Sequence, residues 1–207
     1  MAETRSPEAA RSRFLGILGL VGVVTWVTAV VALHFFEPGR VDRMVSEYAI
    51  GENGWMMMLA FFAVGIGTMG IAVGVRDSLA PGLRVSVSVG LLFVVGVGFL
   101  ASGAFTAGVG TELTTEGFIH AVAGGIVFVG LVVDAFLLRG VFSRDSQWKG
   151  FARRMRWFPP LLLAAFIAFA WEVSGPRQRV YIGLMMTWLG MLAWQLRNIE
   201  PQRRDHR

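Results

Sequence analysis

Six apolar blocks dominate this chain and leave it few folds to adopt. They cover residues 14–36, 55–75, 85–105, 117–138, 158–171 and 180–196. Each of the first four holds more than twenty residues, enough for an α-helix to cross a hydrocarbon core of about 30 Å. The last two hold 14 and 17, and the fifth spans only if it tilts little and uses its flanking tryptophans as interface anchors. With 55% of the 207 residues hydrophobic and 16% charged, little chain remains for a soluble domain. The fold class is therefore all-α, a polytopic integral membrane bundle of six transmembrane helices. Its expected divisions are a cytoplasmic N-terminal segment 1–13, the helical domain 14–197 and a basic cytoplasmic tail 198–207. The first apolar run, 23 residues long, exceeds a signal-peptide core of about 7–15 residues, so an uncleaved first helix is expected.

The distribution of positive charge orients such a bundle. Fifteen of the nineteen Lys and Arg residues fall before the first block, in the second and fourth connections and in the C-terminal tail. The three connections on the other side hold the remaining four, Arg40, Arg43, Arg177 and Arg179. By the positive-inside rule both termini are cytoplasmic, and the cell membrane is the expected location. The run "SRDSQWKGFARRMRWF" then faces anionic headgroups. Membrane lipids are the expected partners and nucleic acid is not needed to explain the net charge of +5. A homo-oligomer or a membrane partner protein is left open. The absence of cysteine excludes disulfides, thiolate chemistry and cysteine-ligated metals.

Glycines recur where helices would meet: Gly65, Gly67, Gly70 and Gly74 in the second block, Gly90, Gly96, Gly98 and Gly103 in the third, Gly124 and Gly125 in the fourth. In lipid, helices gain little from hydrophobic burial against one another, and close backbone approach at small residues wins the dispersion contacts. The stretch "GIGTMG" matches the dinucleotide fingerprint in letters only. That fingerprint needs free N–H groups at a strand-to-helix turn, whereas here they are committed to helix hydrogen bonds. The outer connections share no repeated pattern, which gives an inverted-repeat transporter no support.

The polar residues of the outer side are the functional candidates. His34 and Glu37 end the first block, Glu112, Glu116 and His120 precede or open the fourth, and "WEVSGPRQR" joins the last two. His120, Gly124, Val127, Leu131 and Asp134 share one helical stripe, so His120 points into the bundle. Three roles for it remain open. It could tie a turn by bonding a loop carbonyl or Glu116, bind a ligand or act as a general base with Glu116 orienting it, or ligate a metal together with His34. No metal-ligand spacing supports the third, and neither a metal site nor a cofactor is expected. Asp134 is an acid within an apolar block. Arg139, Arg76 and Arg84 are its expected partners.

In their order between helices, "VSEYAIGENGW", the glycine-then-histidine start of the fourth block, and "GPRQRV" resemble a prokaryotic membrane family, domain of unknown function 998. The matching positions are Ser46, Tyr48, Gly51, Trp55, Gly117, His120, Gln178 and Arg179, and the resemblance covers roughly 14–197. Family members commonly carry a Phe-Pro-Thr-Asp segment after the third helix; here Phe105 is kept but the proline and aspartate are not, and Glu112 or Glu116 is left as a replacement carboxylate. The resemblance implies a six-helix fold and an outer polar cluster, without a settled reaction. The expected function is binding of a lipid-like or small amphiphilic ligand in an extracytoplasmic polar pocket. Ser46, His120, Gln178 and Arg179 would contact it, with Tyr48 and Trp55 at the rim. A membrane-embedded hydrolase-like enzyme using His120, or a small transporter, is the alternative.

Overall fold

Each apolar block folds as a helix, and most helices run further than hydropathy alone indicates. A computed structural model of the chain describes residues 7–37, 39, 42–108 and 114–199. Helix α1 spans Pro7–Phe36, so it already begins within the segment expected to precede the bundle. A short 3-10 helix, Val45–Ile50, follows. Then come α2 (Gly54–Ser78), α3 (Leu83–Ala104) and α4 (Thr115–Phe142). A six-residue helix, α5 (Lys149–Arg154), precedes α6 (Phe158–Trp171) and α7 (Gly175–Asn198). The last helix starts five residues before its apolar block because Pro176 occupies its first turn, where a missing N–H leaves no hydrogen bond unmade.

Among the described residues, α1, α2, α3 and α4 are long and apolar enough to cross a membrane. Their lateral surfaces carry the signature of a lipid solvent. The most apolar window of α1 has a mean hydropathy of 2.3, yet only 28% of it is buried inside the protein. Val21, Val24, Val27 and Val31 stand exposed along it, as do Val122, Ile126, Val129 and Val133 along α4. An apolar surface of that extent has no place in water. The protein is a multi-pass membrane protein.

The helices close into a ring. Successive elements pack side by side from α1 through α4, α4 meets α6, α6 meets α7, and α7 returns to α1. The tightest approaches lie at glycines. A Cβ added to Gly16 would stand 2.6 Å from the Ala193 carbonyl oxygen on α7, and one added to Gly22 would stand 2.5 Å from that of Ala63 on α2. Gly65 and Gly96 approach reciprocally between α2 and α3, each facing the other's carbonyl at about 3 Å. Gly70 is less constrained, since its nearest neighbour is the end of the Leu18 side chain.

At the basic end, the arginine-rich connection folds back onto the ring. Trp148 stacks on Phe142 with centroids 4.0 Å apart and its indole N–H donates to Ser78 Oγ at 3.2 Å. Asp145 accepts the backbone N–H groups of Gln147 and Trp148, which sets the turn into α5. One polar pair lies wholly inside the ring. Ser88 Oγ on α3 donates to Asp134 Oδ1 on α4, and both residues are fully buried. The expected arginine partners of Asp134 are not used; its second oxygen has no hydrogen-bond partner among the described residues.

Candidate functional site

The end of the ring opposite the arginine-rich connection is covered by the segment 42–50, and its attachments are specific. Gln178 Oε1, at the start of α7, accepts the Val45 backbone N–H at 2.7 Å, and both groups are buried. Arg179 Nη1 donates to the Arg43 carbonyl at 2.7 Å. Its guanidinium lies 5.9 Å above the Tyr48 ring, with Nη2 3.5 Å from the hydroxyl. Gly175 makes this possible: any side chain there would strike the Asp42 and Arg43 carbonyls and the Arg179 guanidinium.

Tyr48 continues the network to α1. Its hydroxyl is 3.0 Å from His34 Nδ1, which also lies 3.0 Å from the Val30 carbonyl. A carbonyl only accepts, so this geometry requires the proton on Nδ1. Glu37, at the end of α1, accepts the Asn53 N–H at 3.0 Å and occupies the space above Gly51 that a side chain would need. Arg43 and Glu47 pair at 3.6 Å within the strap itself. The result is a cross-linked lid. Tyr48 is fully buried at its centre and is not the rim residue that was expected.

Beneath this lid lies a chamber of about 330 Å³. All six ring helices line it, through Trp26, Phe61, Phe99, Val127, Phe169 and Met185. Its polar lining comes from Ser46, Ser102, His120 and Gln178. His120 Nδ1 lies 2.8 Å from the Phe105 carbonyl and must donate to it, and the ring packs edge-on against Phe61. Its Nε2 is thereby left as the lone-pair acceptor. The indole N–H of Trp26, a buried wall residue, has no hydrogen-bond partner among the described residues.

The six residues expected at one site thus fall in three places. Ser46, His120 and Gln178 line the chamber, Tyr48 and Arg179 hold the lid, and Trp55 stands 60% exposed at the start of α2, outside the chamber lining. Gln178 serves both lid and chamber. Glu116 is exposed in the first turn of α4; the partner of His120 is the Phe105 carbonyl. Glu112 lies outside the described residues. In the sequence His34 stands out only as a metal-ligating candidate, and nothing local ties it to Tyr48, fourteen residues on across a connection. Trp26 gives no such signal, because an indole inside an apolar block does not stand out as polar. Among the described residues no three metal-ligating side chains gather.

Residues 20–195 match the family described as protein of unknown function (DUF998), and the chain belongs to that family. Neither the curated proteins nor the solved structures contain a match to it.

Proposed function

We propose that this DUF998 protein is a six-span cell-membrane protein with cytoplasmic termini that binds a small amphiphile in its lidded outer chamber. The observation that carries the reading is the grading of the chamber wall. Its polar groups sit near the outer helix ends: His120 five residues into α4, Ser102 two before the end of α3, and Gln178 three into α7. The deeper wall is apolar, with Val127 twelve residues into α4 and Met185 ten into α7, while Phe169 and Val173 add apolar surface at the level of the polar groups. A ligand with an apolar tail and a polar head matches that order.

The remaining hydrogen-bonding capacity narrows the head. Gln178 has its oxygen on Val45, which leaves its amide N–H donors, and His120 leaves an acceptor at Nε2. Arg179, expected to contact an anionic or polar group of the ligand, is engaged by the lid. These groups favour a neutral hydroxyl-bearing head. The volume, near the low end of the range of about 300–1,000 Å³ for ligand sites, favours a single short chain.

Six spans are supported by the ends of α6. At 14 residues it is about 21 Å long, and Trp157 and Trp171 at its two ends are 70% and 88% exposed, as interface anchors would be. Orientation is tested in the cysteine-free chain by Thr114→Cys and Ser146→Cys, both exposed positions. An impermeant thiol reagent applied to intact cells should label only the first; labelling only the second would invert the topology.

Binding is tested by native mass spectrometry of the detergent-purified chain titrated with short-chain monoacylglycerols. The parent should retain one. Gly124→Leu, at a chamber glycine whose added Cβ meets nothing within 4 Å, should abolish retention without unfolding the protein. Equal retention by parent and variant would reject the chamber as the site.

A further inference from the structure

A second concavity lies on the lipid-facing side of the ring, where α1 meets α7. It encloses about 780 Å³ between Val23, Val27 and Val31 of α1 and Gly183, Thr187 and Gly190 of α7. From Gly183 to Trp194, another lining residue, the α7 wall is about 17 Å long, close to one leaflet of hydrocarbon. The protein does not fill this trough. A Cβ at Gly183 would meet nothing within 4 Å, and one at Gly190 only Val23 at 3.7 Å. In a bilayer, an apolar trough of that kind is filled by an acyl chain or by another helix.

The ends of the trough decide between these occupants. At the outer end Arg179 is engaged by the Arg43 carbonyl and Tyr48. At the basic end the trough is bounded by Arg154 and Met155, just after the buried Phe151, and by Trp194. Arg154 is exposed and makes no hydrogen bond or ion pair with another described residue. On the same end of α7, the Arg197 guanidinium sits 5.0 Å over the half-exposed Trp194 ring. A second copy docked here about a two-fold axis along the membrane normal would bring two Arg154 side chains to one side of the interface without a counter-charge. An anionic headgroup supplies that charge.

We infer that the α1–α7 trough is a site for an anionic glycerophospholipid of the basic-side leaflet, its phosphate at Arg154 and one acyl chain along Gly183, Thr187 and Gly190. Basic pockets between transmembrane helices on the cytoplasmic side recognise lipid phosphates by this combination of charge and apolar groove. The site is distinct from the outer chamber, which shares Trp26 and Val45 with it but carries no arginine in its lining.

The full chain, purified in a nonionic detergent, is titrated with phosphatidylglycerol and with phosphatidylcholine of the same acyl chains, and bound lipid is counted by native mass spectrometry. The parent should bind one phosphatidylglycerol in preference to phosphatidylcholine. Arg154→Gln should weaken phosphatidylglycerol about fivefold, the scale of one basic residue at a bilayer surface, and weaken phosphatidylcholine less, because the choline ammonium offsets that lipid's phosphate charge. Gly183→Leu should weaken both lipids, while Gly124→Leu should weaken neither. Arg154 is exposed, so its replacement does not threaten the fold and remains informative even if a groove variant fails to fold. Unchanged phosphatidylglycerol binding in Arg154→Gln would overturn the inference. A dimer lost in Gly183→Leu with lipid binding intact would overturn it too, by making a second copy the occupant.

Discussion

Substituting Gly22 with alanine tests how far the ring depends on backbone contact. The added methyl would stand 2.5 Å from the Ala63 carbonyl oxygen and 3.1 Å from both Ala63 C and Val64 Cα, all backbone atoms of α2. No rotamer change relieves that. A carbon–oxygen contact settles at about 3.3 Å or more, so α1 and α2 must part locally by about 0.8 Å. A gap of about that size forfeits a quarter to a half of each dispersion contact it opens. These two helices form the most extensive pair in the ring. The expected cost is therefore about 2 kcal/mol, within the range for overpacking a well-packed interface. Gly183→Ala makes the same chemical change where the new Cβ meets nothing within 4 Å. It should leave stability within about 0.5 kcal/mol or raise it slightly through reduced backbone entropy. Unfolding of both variants by denaturing detergent in mixed micelles, followed by circular dichroism, gives the comparison. Equal stability of Gly22→Ala and the parent would refute the close-approach argument, and so would equal losses in the two variants.

Tyr48→Phe removes the hydroxyl between His34 and Arg179 while keeping the ring; it should cost about 1–2 kcal/mol in the same assay. Gly51→Ala forces the Glu37 carboxylate off its place, so limited proteolysis should cut the 42–50 lid faster than in the parent. Ser88→Ala removes the one hydrogen-bond partner of Asp134 among the described residues and should cost about 1–3 kcal/mol, while adding Asp134→Leu should recover most of that loss because no buried polar group then remains unsatisfied. A double variant no more stable than Ser88→Ala would mean that Asp134 has contacts beyond Ser88.

Residue periodicity and block length were enough to determine the helices and the side on which the polar groups gather. An apolar run above twenty residues has few alternatives to a helix in lipid, because every backbone group must be satisfied internally. The stripe linking His120 to Asp134 was readable for the same reason: Val127, Leu131 and Asp134 are all buried. What the sequence could not specify was which faces meet. In lipid the outward face is as apolar as the inward one, so hydropathy does not distinguish Val24, exposed, from Leu33, buried. The glycines of α2 stood out by number, yet Gly16 and Gly22 of α1 also meet neighbouring backbone closely, Gly16 where the ring closes onto α7 and Gly22 against α2, and no local pattern encodes either meeting. The same closure, with the fold-back of residues 42–50, gave Tyr48 to His34 and Arg179 and left His120 facing the chamber from the Phe105 carbonyl. Local chemistry chose the helices and their polar ends; the meeting of distant backbones chose which histidine holds the lid and which lines the chamber.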